Sequence, residues 1–261
     1  MRLCVKAKSF TGLVLLGAIL ILTEVASRFG ALDPRFFPPP SAVIGRVGEL
    51  LLNRDVGASG DFHQHLAASA TKFGVALLIA AMASLVLTVN AGLNKTFRTL
   101  VSGVIGFLYP LPKSAVFPFL LLVFGIGGGA HIALIAMGAV ALMLATAVAG
   151  LQRLEAAGYM EIVRILQLKT GAVVRKVLLP GLLPEFMHGI KLGASYGLVL
   201  LIVSEMLVTR FGLGVFLWAA WDQFKVLDLY AVLYLISGLG FVIFGVFDAL
   251  GEKFADSQRS V

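Results

Sequence analysis

Six stretches dominated by apolar residues, at about 10–28, 66–91, 100–124, 131–150, 189–208 and 229–250, leave this chain few ways to fold. A helix needs roughly 20 such residues to cross a bilayer core of about 30 Å. Each stretch comes near that length. Apolar residues make up 59% of the 261 and charged residues only 13%, too little polar surface to coat a soluble globule of this size. The expectation is an all-α membrane protein, a single membrane domain over residues 1–261 with six transmembrane helices.

Arg2, Lys6 and Lys8 ahead of the first stretch give it the look of a secretory signal. Glu24 spoils a small-residue cleavage site beside Ala26 and Ser27, and the run is long enough to span, so a retained helix is the better reading. An even number of spans puts both termini on one side. Arg2, Lys6, Lys8, Lys95, Arg98, Arg153, Arg164, Lys169, Arg175, Lys176, Lys253 and Arg259 share that side, 12 basic residues against 6 opposite, Arg28, Arg35, Arg46, Arg54, Arg210 and Lys225. The excess of Lys and Arg on cytoplasmic loops places both termini in the cytoplasm. The same distribution accounts for the net charge of +7 without nucleic acid, for which no recognition module is present. Cys4 is the only cysteine and has no partner for an intrachain disulfide.

Three connections stand out. Pro38 to Pro40 force an extended path, and Ser41 is placed to cap a helix lying near the membrane surface. Gly125 to Gly129 is a hairpin turn rather than a phosphate loop, since no Lys-Ser/Thr follows. Phe211 to Trp218, with Trp221, reads as an interfacial or partly re-entrant segment.

Reactive chemistry is thin. His63 and His65 read as solvent-facing loop residues, and His131 and His188 as interfacial ones; no metal site or catalytic constellation is expected. Charges inside spans carry more weight, because each costs about 2.5–3.5 kcal/mol on insertion scales. Lys113, in Tyr109-Pro-Leu-Pro-Lys-Ser114, has two readings of equal standing: a cavity-lining cation at a proline-broken span, with Ser114 beside it, or a lysine snorkelling to the interface. Glu205 either lines a pathway or pairs with a neighbouring helix, the latter being the safer reading. Gly189, Gly193 and Gly197, four apart, make a smooth stripe for close packing and a possible subunit interface.

Between the fourth and fifth spans lies a loop, 151–188, expected on the cytoplasmic side. Its stretch Glu161 to Pro184 is amphipathic and basic, with Arg164, Lys169, Arg175 and Lys176, and its second helical run is expected to stop at Pro180 and Pro184. This insert resembles the EAA loop of the permease subunits of binding-protein-dependent ABC importers. Registering from the proline end aligns Val177, Leu179 and Pro180, and puts the acid on Glu161; Ile162 and Val163 stand where the family has alanines, and Gln167 where it has glycine. Glu155-Ala-Ala-Gly158 is a decoy, its spacing to Leu179-Pro180 being six residues too long. Phe37 to Val43, Tyr109 to Ala115 with Pro118, Phe124 to Gly127, Ser204 to Met206 with Gly212 to Gly214, and Asp248 are similar to the nitrate/sulfonate/bicarbonate/taurine branch of that family.

The resemblance implies the type I ABC importer permease fold in a bacterial inner membrane. It implies that Glu161, Ile162, Arg164, Ile165, Leu166 and Gln167 dock in a groove of a separate ATPase dimer, with Val177, Leu179 and Pro180 completing the coupling site. No Walker A sequence is present, so ATP and magnesium are used by that partner and no cofactor is bound directly. A second permease copy is expected, a homodimer being favoured over a paralogue, together with an extracytoplasmic substrate-binding protein, surrounding lipids and no nucleic acid. The solute is expected to be a small anion, with Lys113, Ser114 and Glu205 as pathway candidates. The rival reading is an ion-coupled secondary transporter, against which the chain shows no convincing internal repeat.

Overall fold

The computed structural model describes residues 2–52 and 61–259; Arg54 lies outside them, as do the side chains of residues 2–11, 13, 164, 250 and 252–259, among them Cys4 and Arg164. The described residues form eleven α-helices: α1 (Arg2–Arg28), α2 (Pro40–Leu51), α3 (Phe62–Leu93), α4 (Lys95–Leu108), α5 (Lys113–Phe124), α6 (Gly128–Ala156), α7 (Tyr159–Ile165), α8 (Thr170–Val173), α9 (Leu179–Leu207), α10 (Leu213–Asp222) and α11 (Val226–Arg259). A π turn, Val174–Leu178, joins α8 to α9.

Local chemistry sets the ends. The Asp61 carboxylate accepts from His63 N–H and starts α3. Asn94 leaves helical geometry at φ −133°, which ends α3, and its side chain accepts from Thr96 and Phe97 N–H, which starts α4. Ser41 does not cap α2; it lies inside the helix, and the Glu24 carboxylate of α1 receives both its N–H and its hydroxyl. The N-cap residue, Pro39, has no side-chain acceptor, so the acceptor comes from another helix.

Among the described residues four helices are long and apolar enough to cross a membrane: α3, α6, the run Thr170–Leu207 that includes α9, and α11 up to Ala249. The expected third span is not continuous. It is α4 and α5, bent by 103° at Tyr109 to Pro112, where two prolines remove donors, and it makes a fifth crossing only if the pair is counted as one. The first expected span, about 10–28, lies in α1, whose side chains are described only in part; among the described residues four such helices are present, or five with the bent pair counted as one. Residues 179–188, expected in the loop, already belong to α9. Pro180 and Pro184 do not stop the run: Pro180 sits in the first turn of α9, where no intrahelical donor is needed, and the helix continues through Pro184.

Helix α6 lies at the centre, flanked by α9 and α3. Their shared core holds Ala76, Ala80, Leu134, Ile135, Ala139, Met143, Ala147, Ile190 and Leu201. The glycine stripe faces inward here: a Cβ on Gly189 would strike Thr146 and the Met143 backbone, one on Gly193 would crowd Met143, and one on Gly197 would press on Ile135. It is therefore used within the chain, against α6, rather than at a subunit interface. Gly138 of α6 reciprocates, packed against Leu200 and Tyr196.

A buried polar network closes one end of the bundle. The Glu205 carboxylate, on a residue 1% exposed, accepts from Lys72 Nζ at 2.9 Å, from Ser69 Oγ, and from Gly214 N–H at 3.1 Å. Lys72 also donates to the Phe211 carbonyl at 2.8 Å, and Leu213 N–H donates to Ser69 Oγ. His65 is not a solvent-facing loop residue; it is buried in α3, and its Nδ1 accepts from Gly212 N–H at 3.1 Å. His131 is likewise buried rather than interfacial, with Nδ1 3.0 Å from Ser204 Oγ and Nε2 donating to the Val208 carbonyl at 3.0 Å. His65, Ser69 and Lys72 follow one another at i, i+4 and i+7, one face of α3, so a single stripe anchors the turn between α9 and α10. Removing one partner of a buried ion pair costs about 3–5 kcal/mol. Lys72→Met should therefore lower the thermal midpoint in detergent sharply, and adding Glu205→Gln should recover most of the loss; an unchanged midpoint in the single variant would refute the network's structural role.

Candidate functional site

Helix α6 ends at Gly158, whose φ of +77° suits a residue without Cβ, and after this two-residue turn α7 begins. Its seven residues are two-faced. Met160 and Val163 pack against a core of Ala91, Val101, Leu144, Leu151 and Leu178. On the other side Tyr159, Ile162, Ile165 and Leu166 are 51%, 51%, 79% and 61% exposed. Glu161, in the first turn, is exposed as well, where a carboxylate complements the helix dipole. An apolar face left open beside charges is short of a partner. Exposed Glu161, Lys169, Arg175 and Lys176 around it argue against acyl chains as its cover.

Gln167 ends α7 with φ +48°, the left-handed region, and its side chain is exposed. The departure from glycine costs backbone strain of about 1–2 kcal/mol here. Val177, half-buried, closes the π turn, and Leu179 and Pro180 open α9. The structure thus divides the residues expected to couple between α7 with its terminal turn and the π turn and start of α9.

The pathway candidates do not converge. Glu205 belongs to the network with Lys72. Ser114 is exposed. Lys113 sits at the bend, only 6% exposed, with Nζ donating to the Tyr109 carbonyl at 2.7 Å and lying 5.9 Å and 5.6 Å from the ring centroids of Tyr109 and Tyr196. It is turned into the protein, not snorkelling outward. The carbonyl end of α4 and two aromatic faces compensate its charge; among the described residues no carboxylate forms an ion pair with it.

Sequence reasoning missed the His65–Ser69–Lys72 stripe, whose helical spacing was a readable signal once α3 is started at Asp61. It also set aside Glu155, which pairs with Arg98 Nη1 at 2.5 Å.

Residues 76–256 match the family described as "Binding-protein-dependent transport system inner membrane component". The chain is 28% identical over 200 residues to the taurine transport system permease protein of Escherichia coli (strain K12), covering 76% of this chain and 72% of that one. It is 26% identical over 243 residues to a putative aliphatic sulfonates transport permease protein of Bacillus subtilis (strain 168), covering 93% and 83%. Identity is also 26% to the bicarbonate transport system permease protein of Synechococcus elongatus, over 86% and 81% of the two chains. With most of its length matched, from α3 to α11, the chain belongs to the family of inner-membrane components of binding-protein-dependent transport systems.

Proposed function

We propose that this chain is the permease subunit of an ATP-driven ABC importer for a small oxyanion, and that α7 is the element docked by a separate ATPase subunit. The open apolar face of α7 carries this reading: Ile162, Ile165 and Leu166 stand clear of the bundle next to Glu161, on a helix whose other face is fixed in the core. Such a face fits a groove, and its inward side passes on whatever moves the groove. ATP and magnesium are then the partner's. Solute arrives from an extracytoplasmic binding protein at the end of the bundle opposite α7, and both termini lie in the cytoplasm. Two copies of this chain form the pathway within the lipid.

The substrates for which the relatives are named, taurine, aliphatic sulfonates, bicarbonate and nitrate, all carry an oxyanion group. Lys113 suits such a group, being a cation at a helix break with no carboxylate paired to it among the described residues. Ser114 follows it in the first turn of α5, where N–H groups and the dipole also favour an anion.

Three outcomes are expected. Purified through a tag on this chain, the wild type carries an ATPase subunit; Ile165→Asp loses at least ~90% of it, equivalent to about 1.4 kcal/mol or more, with an unchanged thermal midpoint. Full retention would sink the docking assignment. Lys113→Gln slows uptake of the transported anion, screened among taurine, nitrate and bicarbonate, by about tenfold, while basal ATP hydrolysis is unaffected; equal uptake at all concentrations would remove Lys113 from the pathway. Native mass spectrometry of the same complex finds two copies of this chain, and a second permease species at equal stoichiometry would rule out the homodimer.

A further inference from the structure

The last turn of α6 is the root of α7, since only Ala157 and Gly158 separate them. Glu155 lies in that last turn, where the carbonyl end of the helix dipole disfavours a carboxylate. Its position is compensated by Arg98 of α4, whose Nη1 donates to Glu155 Oε2 at 2.5 Å. Arg98 is itself held: its Nε donates to the Ala91 carbonyl at 3.1 Å, at the end of α3, so the guanidinium is fixed on the tight α3–α4 corner that Asn94 caps. The pair is sheltered, with side chains 14% and 33% exposed.

Beside it a cleft of about 200 Å³ lies between Gly92, Leu93 and Lys95 of the corner and Met160, Val163 and Leu168 of α7 and its turn, next to the apolar packing of Met160 and Val163 on Ala91 and Val101. Apolar packing is non-directional, whereas a charge-assisted hydrogen bond fixes the register of the two elements it joins. On the far side of α6 a second pair, Arg153 with Glu185, joins the same turn to α9, but its arginine is 74% exposed. Helix α4 leads in turn to the 103° bend and Lys113.

We propose that the Arg98–Glu155 ion pair is the strap through which movement of α7 reaches the broken α4–α5 pair, a positioning role that rests on the docking reading of α7. Arg98 touches neither ATPase nor solute; it ties the root of α7 to the arm that carries the bend.

The test uses the complete importer with its ATPase subunits, in membranes. Cys4 is the only native cysteine, so Cys4→Ser gives a silent background for one reporter at a time, Ser114→Cys beside the bend or Gln167→Cys at the end of α7. Maleimide labelling rates are compared without nucleotide and with ATP and vanadate. Both reporters should change rate about threefold or more. Arg98→Glu and Glu155→Arg should each abolish the change at Ser114→Cys and keep it at Gln167→Cys, and the two together should restore it. Glu155→Gln, a milder change that keeps volume, should at least halve the response if a full reversal impairs assembly. A Ser114→Cys response that persists in the single variants, or is absent while Gln167→Cys responds in the unaltered strap, overturns the proposal. No restoration in the double variant overturns it as well. If Gln167→Cys fails to respond with the strap intact, it is the docking reading that falls.

Discussion

Close approach of α6 and α9 is the condition on which the remaining packing rests. Inside a bilayer the hydrophobic effect does not push helices together, so association depends on van der Waals contact and interhelical hydrogen bonds. Gly189, Gly193 and Gly197 on one helix and Gly138 on the other let side chains reach the opposing backbone, and the contact runs along most of both helices. Because α9 is held this closely, Ser204 and Glu205 arrive within reach of His131 and Lys72. Without that proximity the polar groups at this end would have no partners.

Charges in the membrane region are handled in two ways. Around Glu205 an ion pair, a hydroxyl and the Gly214 amide leave the carboxylate well satisfied in a dry setting. At Lys113 the ammonium has a carbonyl and aromatic faces but, among the described residues, no paired carboxylate. The first arrangement is complete and rigid. The second still favours an anion, and it falls where the helix is broken and backbone groups are not all used by the α4–α5 ladder.

Much of this was readable in the chain. Long apolar runs announced α3, α6, α9 and α11, because length and hydropathy are local properties. Pro110 and Pro112 announced a break, but not a 103° bend, since the direction of α5 is set by packing on α6 and α9. Spacing back from Leu179-Pro180 picked out the short helix beginning near Glu161, whose two faces then followed from 3.6-residue periodicity. The polar network was hidden for a different reason: His65, Ser69 and Lys72 lie far in sequence from Glu205 and Gly212, and only the fold joins them. Pro180 and Pro184 misled because proline was read as an end, whereas Pro180 stands at the start of α9 and Pro184 lies inside it. Glu155 misled because motif spacing ruled it out of one role and no other was considered.

The π turn at Val174–Leu178 has a further consequence. Val173 and Leu178 are both buried, although five residues apart they would lie about 140° from each other around an α-helix. The wider turn brings them to one side and leaves Arg175 and Lys176 outside. In effect the chain here holds one residue more than a regular helix could accommodate without rotating everything beyond it. Deleting a single residue between 174 and 177 would make the helix regular and keep α9 in phase, whereas the same deletion a turn later would swing Gly189 and its neighbours off α6. The segment is thus a point where the register of α9 against α6 is set by one extra residue.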